Sequence, residues 1–224
     1  ESARYAARVA AASAPWVVLG ECVPGGTTTA QALLEALGVP THGRVSSSMP
    51  GGNHALKNRV VAEALRAAGL PASPTALQTA CAVGDPMQPA VALMALEISR
   101  TRPVVLGGGT QMAAVAALAL KLLAEGQAGD PSNLAVVTTR WVAEDPAADL
   151  AGISNALQEP VPVFAAGLDF GGSSLPQLRR YEEGLVKEGV GAGAAAFAAF
   201  VAGGLSHGEL VARIEEVTRG IGTH

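Results

Sequence analysis

Two stretches of this chain share one grammar. "GECVPGGTTTA" (20–30) and "VVLGGGTQMAA" (104–114) each set glycines and threonine behind a β-branched run and ahead of a helical pattern. In the first, Gly25 and Gly26 let backbone approach a ligand closely. Thr27, Thr28 and Thr29 bring hydroxyls and amides to a helix N-terminus, where free N–H groups suit an anion such as phosphate. The same residues also make a tight turn with a threonine N-cap, and both readings stand. The loop is neither a P-loop nor a G-x-G-x-x-G, so neither ATP nor a dinucleotide is specified. In the second stretch Gly107, Gly108 and Gly109 precede Thr110, again as a cradle or as a turn capped by threonine. Two such loops behind strands favour one shared site at one sheet edge.

Three more stretches carry polar chemistry. In "VGDPMQPA" (83–90), Gly84 leads to Asp85 and Pro86, the pattern of an N-cap with proline at the first helical position. "SSSMPGGNH" (46–54) reads as a polar substrate loop or a surface turn. In "VKEGVGAG" (186–193), Glu188 stands between Lys187 and the glycines 189, 191 and 193, ahead of an alanine-rich helix. A helix dipole lowers the pKa of such an acid, whereas an apolar pocket raises it toward the range of a general base. Glu188 is thus either a dipole-compensating residue or a base. His42, His54, His207 and His224 show no metal-ligand spacing, and no metal site is expected.

The elements that must position these residues alternate. Strands are expected at 16–21, 103–109, 134–141 and 161–167, with a further short one at 44–48. Helices are expected at 28–38, at 53–69 between an Asn53 cap and a Gly69 stop, at 111–126, 192–204 and 207–221. A short helix precedes the first strand, and another lies within the loop-like 143–160. Strand, glycine loop and helix in repetition predict an α/β fold: a doubly wound, mostly parallel, Rossmann-like sheet with helices on both faces, plus C-terminal helices. Ligands in such sheets sit at the carboxyl ends of the strands, where the glycine clusters fall.

Composition narrows the function. Hydrophobic residues make up 49% of the 224 and aromatics only 4%, so the core is built from alanine, valine and leucine. A net charge of −4 gives no broad basic surface and argues against nucleic acid. Cys22 and Cys81 make neither a disulfide framework nor a zinc spacing, and point to reduced thiols in a cytoplasm. No apolar run reaches the roughly 18–20 residues needed to span a bilayer. The alanine-rich start lacks the order of a signal peptide.

Taken together, "GECVPGGTTTAQALLEALG", "SSSMPGGNHALK", "AVGDPMQPAVA", "VVLGGGTQMAAVAAL", "VVTTRWVAEDP" and "YEEGLVKEGVGAG" resemble one family, from about residue 16 to about residue 200. It is the archaeal and cyanobacterial branch of the nicotinate-nucleotide:dimethylbenzimidazole phosphoribosyltransferases of the cobalamin lower-ligand pathway. The resemblance implies transfer of ribose 5-phosphate from nicotinate mononucleotide to a benzimidazole-type base, without a cofactor, in a homodimer. It implies Glu188 as the general base, matched to a Gly-Glu-Gly-x-Gly-Ala type loop of the family. It further implies substrate contacts at Gly25, Gly26, Thr27, Thr28, Gly84, Asp85, Gly107, Gly108, Gly109, Gly189 and Gly191. Two departures stand out. The family carries a longer N-terminal segment, which is expected to be missing from residues 1–224, read as one α/β domain with a helical part at 192–224. The wider family also has an acid where this chain has "DPMQP". A non-catalytic nucleotide- or phosphate-binding module, and the same chemistry on another acceptor base, are the alternatives left open.

Overall fold

Four short apolar runs, too short for a helix, become the strands of one parallel sheet. The computed structural model describes residues 1–46, 53–185 and 191–221. In chain order the elements are α1 (Ser2–Ala11), β1 (Val17–Gly20), α2 (Gly26–Ala36), α3 (His54–Ala68), α4 (Ala76–Val83), α5 (Met87–Ser99) and β2 (Val104–Gly107). Then come α6 (Thr110–Ala124), a 3-10 turn (Pro131–Asn133), β3 (Leu134–Thr139), α7 (Arg140–Ala143), α8 (Leu150–Asn155), β4 (Val163–Ala166), α9 (Pro176–Arg179), α10 (Ala192–Val201) and α11 (His207–Ile221). The strands lie side by side in the order β1-β2-β3-β4, all parallel.

Alternation along the strands divides the core between two faces. Val104, Leu106, Leu134 and Val136 point into the main core with Leu33 and Leu34 of α2, Leu96 of α5, and Met112 and Leu118 of α6. Val105 and Val137 point the other way, against Ala194 of α10, with Trp16, Val18 and Phe197 packed around them. The expected α/β fold with helices on both faces is what forms. α6 is buried along nearly its whole length, which suits an almost uncharged sequence. A smaller core of Trp141, Phe170 and Leu178 seats α11 through Leu210, Val211 and Ile214.

The expected strand at 44–48 is not found over the described part of it: residues 42–44 turn and 45–46 are irregular. Ser46 is instead held to Thr110, Oγ to Oγ at 3.0 Å, and its carbonyl accepts from Lys57 Nζ at 2.6 Å. Helices α4 and α5 had no periodic signal of their own. α4 starts on a capping box in which Thr75 and Gln78 satisfy each other's backbone N–H groups.

Candidate functional site

The carboxyl ends of β1, β2 and β3 meet the N-termini of α2, α6 and α10, and glycines let them come together. Gly25 is the N-cap of α2 at φ 72°, a conformation that a side chain resists. No side chain caps α2, so the threonine N-cap reading of this loop is corrected. Thr27 and Thr28 lie half-buried in its first turn, and Thr29 donates from Oγ1 to the Gly26 carbonyl. Gly26 is buried for another reason. A Cβ there would stand 2.0 Å from Gln111 Oε1, because the Gln111 carboxamide fills that space.

The second loop is equally crowded. Gly107, Gly108 and Gly109 are all buried. A Cβ on Gly107 would meet the Ala194 methyl at 2.6 Å, and one on Gly108 would meet Met112 Cγ at 3.0 Å and Glu21 Cγ at 3.5 Å. Gly109, not Thr110, is the N-cap of α6. The Thr110 hydroxyl is turned to Ser46. These glycines therefore serve close packing of three chain segments under the site.

Pro86, expected as the first helical residue, is instead the N-cap of α5, and Asp85 holds the first turn from one position further out. Its Oδ1 accepts from the N–H groups of Met87 at 3.0 Å and Gln88 at 3.3 Å, while Gln88 Oε1 accepts from the Asp85 N–H at 3.1 Å. Its Oδ2 accepts from Thr29 Oγ1 at 2.8 Å, which ties the start of α5 to the first turn of α2. Gly84 is needed in the α4–α5 turn, because a Cβ there would lie 2.7 Å from the Ala80 carbonyl oxygen.

α10 closes the arrangement. Gly191, its N-cap at φ 72°, sits so close to the strand ends that a Cβ would be 3.2 Å from both Gly107 O and Gly20 Cα. Gly193 lies on β3, where a Cβ would be 2.1 Å from the Thr138 carbonyl carbon. Glu188 and Gly189 lie outside the described residues, as do residues 47–52 of the serine-rich stretch. The structure thus brings together Gly25, Gly26, Thr27, Thr28, Asp85, Gly107, Gly108, Gly109 and Gly191 around one end of the sheet.

Two side chains at this end were not singled out from sequence. Glu21 directly follows β1, and its Oε2 accepts from the Val23 N–H at 3.0 Å. An acid one residue past a parallel strand was the available signal. Gln111 is the other, a buried carboxamide in the first turn of a helix that is mostly buried and apolar. Among the described residues no group of three or more His, Cys, Asp or Glu side chains comes together to hold a metal, and no helix is long and apolar enough to cross a membrane. Cys22 and Cys81 are both free and exposed.

No family model matches the chain. A UPF0284 protein of Gloeobacter violaceus is 51% identical over 202 residues, which cover 90% of this chain and 53% of that protein. A UPF0284 protein of Pyrobaculum aerophilum is 46% identical over 201 residues, covering 89% of this chain and 56% of that protein. Among solved structures, CobT from Thermus thermophilus superposes with a TM-score of 0.56 at 27% identity, covering 87% of this chain and 51% of that chain. A nicotinate-nucleotide-dimethylbenzimidazole phosphoribosyltransferase structure from the same organism gives a TM-score of 0.54 at 28% identity, covering 87% and 56%. The chain spans about half the length of the curated relatives it matches.

Proposed function

We propose that this chain, a homologue of the UPF0284 proteins with a CobT-like α/β fold, carries the phosphoribosyl-transfer site of a CobT-type enzyme. In the proposed reaction a benzimidazole nitrogen attacks the anomeric carbon of nicotinate mononucleotide. The new carbon–nitrogen bond forms as the bond to nicotinate breaks, and Glu188 takes the benzimidazole N–H proton. The products are nicotinate and an α-ribazole phosphate. Positive charge gathers at the anomeric carbon, so the work is positioning and one proton transfer. A homodimer belongs to the same reading.

The observation that carries it is the docking of α10. Gly191 rests on Gly20 and Gly107, at the same sheet end as the first turns of α2 and α6. The N-termini of α2 and α6 present the positive ends of their dipoles to a phosphate. The test is a chromatographic assay with nicotinate mononucleotide and dimethylbenzimidazole, run on the parent chain and on Glu188→Gln. We expect released nicotinate and a ribazole phosphate from the parent, and a fall of about a hundredfold or more in the variant with nucleotide binding kept. Equal turnover in the two overturns the role of Glu188. No product from a parent chain that still binds the nucleotide favours a binding module or another acceptor.

A further inference from the structure

Three buried polar atoms among the described residues have no hydrogen-bond partner: Gln88 Nε2, Gln111 Oε1 and Trp141 Nε1. Gln88 already uses its other amide atom in the Asp85 cap. Trp141 is enclosed by aromatic rings, with Phe170 at 5.2 Å and Tyr181 at 4.7 Å between centroids. Gln111 differs from both. It is 8% exposed and lies one residue inside the start of α6, pressed over Gly26 in the first turn of α2. Burying an amide without a partner is costly, and a fold that only needed to fill this space could do so with methionine or leucine.

The chemistry of the unpaired atom limits what it can recognise. Oε1 is an acceptor, so its partner must be a donor. A phosphate dianion offers none, and the helix N-termini beside it already supply donors for an anion. A sugar hydroxyl offers an O–H, which Oε1 meets once the Gln111 carboxamide lifts from Gly26, against which it packs in the ligand-free chain. We propose that Gln111 is a ligand-positioning residue that accepts a hydrogen bond from a hydroxyl of a sugar phosphate. The inference rests on the phosphoribosyl-transfer reading and adds to it the residue that reads the sugar rather than the phosphate.

The test uses calorimetric titration of the parent chain and of Gln111→Met with nicotinate mononucleotide, ribose 5-phosphate and inorganic phosphate. Methionine keeps the length of the side chain and removes its polarity. We expect affinity for the nucleotide and for ribose 5-phosphate to weaken by about tenfold, the effect of one well-made buried hydrogen bond. Affinity for inorganic phosphate should stay as it was, and the ligand-free variant should melt at the parent temperature or above it. Unchanged affinity for ribose 5-phosphate overturns the assignment, whatever the nucleotide assay shows. An equal loss for all three ligands overturns the choice of the hydroxyl. A parent chain that binds neither the nucleotide nor ribose 5-phosphate overturns both this inference and the transfer reading. Gln111→Leu, read in the same titrations, decides the matter if the methionine variant does not fold.

Discussion

Replacing Gly193 with alanine should unseat α10 and with it the edge of the site. The added Cβ would lie 2.1 Å from the carbonyl carbon of Thr138, 2.2 Å from its oxygen and 2.5 Å from the Thr139 nitrogen. All three are backbone atoms of β3 where it pairs with β4, so they cannot swing away as a side chain would. Restoring a normal contact of about 3.5 Å requires α10 to withdraw by roughly 1.4 Å. Ala194, Ala196 and the Trp16–Phe197 edge contact, at 6.0 Å between centroids, would withdraw with it. Overpacking of this kind costs about 1–3 kcal/mol, and rigid backbone places this case at the upper end. For a chain of this size each kcal/mol lowers the melting temperature by about 2–4 °C, so a fall of roughly 6–12 °C is expected. The control is Gly208→Ala in α11, where a Cβ would meet nothing within 4 Å and alanine favours the helix. Thermal unfolding followed by circular dichroism reads both variants. If Gly193→Ala melts within about 2 °C of the parent, α10 is not seated on β3 as described and the steric reasoning fails.

Asp85→Ala removes the cap of α5 together with the link to α2, and should cost about 0.5–2 kcal/mol from the cap alone in denaturant unfolding. Thr29→Val cuts the link and also the hydroxyl's contact with the Gly26 carbonyl, at about 0.5–1.5 kcal/mol, and the two losses should not add fully in the double variant because they share the Thr29–Asp85 hydrogen bond. Glu215 accepts from the Ser173 hydroxyl and the Ser174 N–H, which, with Arg219 beside it, hold its carboxyl below the ordinary glutamate value of 4.5. Its stabilising effect is therefore fully present above 4.5 and is lost as the pH falls through the lowered native value. Glu215→Gln should melt below the parent at neutral pH, and the gap should close in acid. A gap independent of pH would refute the ionic origin of the contact.

Much of the fold was legible because its signals are local. The four strands are short apolar runs at the expected places, and Gly69 ends α3 in the left-handed conformation that its stop signal implied. The strand expected at 44–48 failed because a short run of small polar residues carries no period that separates strand from loop. Helices α4 and α5 were obscured for a related reason. Each is apolar on more than one face, so its pattern lacks the stripe that marks a surface helix. Of the candidate site, the glycine clusters were visible but their causes were not. A glycine required by its own dihedral, such as Gly25, announces itself in a turn. A glycine required by a distant atom does not. Gly26 depends on Gln111, 85 positions away, and Gly107 on Ala194, 87 positions away, distances that only the folded chain closes.

That distinction bears on how the site should be probed. The second glycine loop is buried against α10 and α6, so alanine at Gly107 would disturb packing whether or not a nucleotide ever touches it. Loss of activity there would say little about binding. Gly25, by contrast, is exposed, and a Cβ on it meets nothing within 4 Å, so an alanine would be resisted only by its φ of 72°. Asparagine tolerates that conformation better than alanine does. Gly25→Asn should therefore keep the fold near parent stability while placing a side chain at the mouth of the α2 turn. If a phosphate seats on that turn, nucleotide affinity falls with the melting temperature unchanged. If affinity also stays constant, the anion lies elsewhere, and the loop is only the turn that its glycines allow.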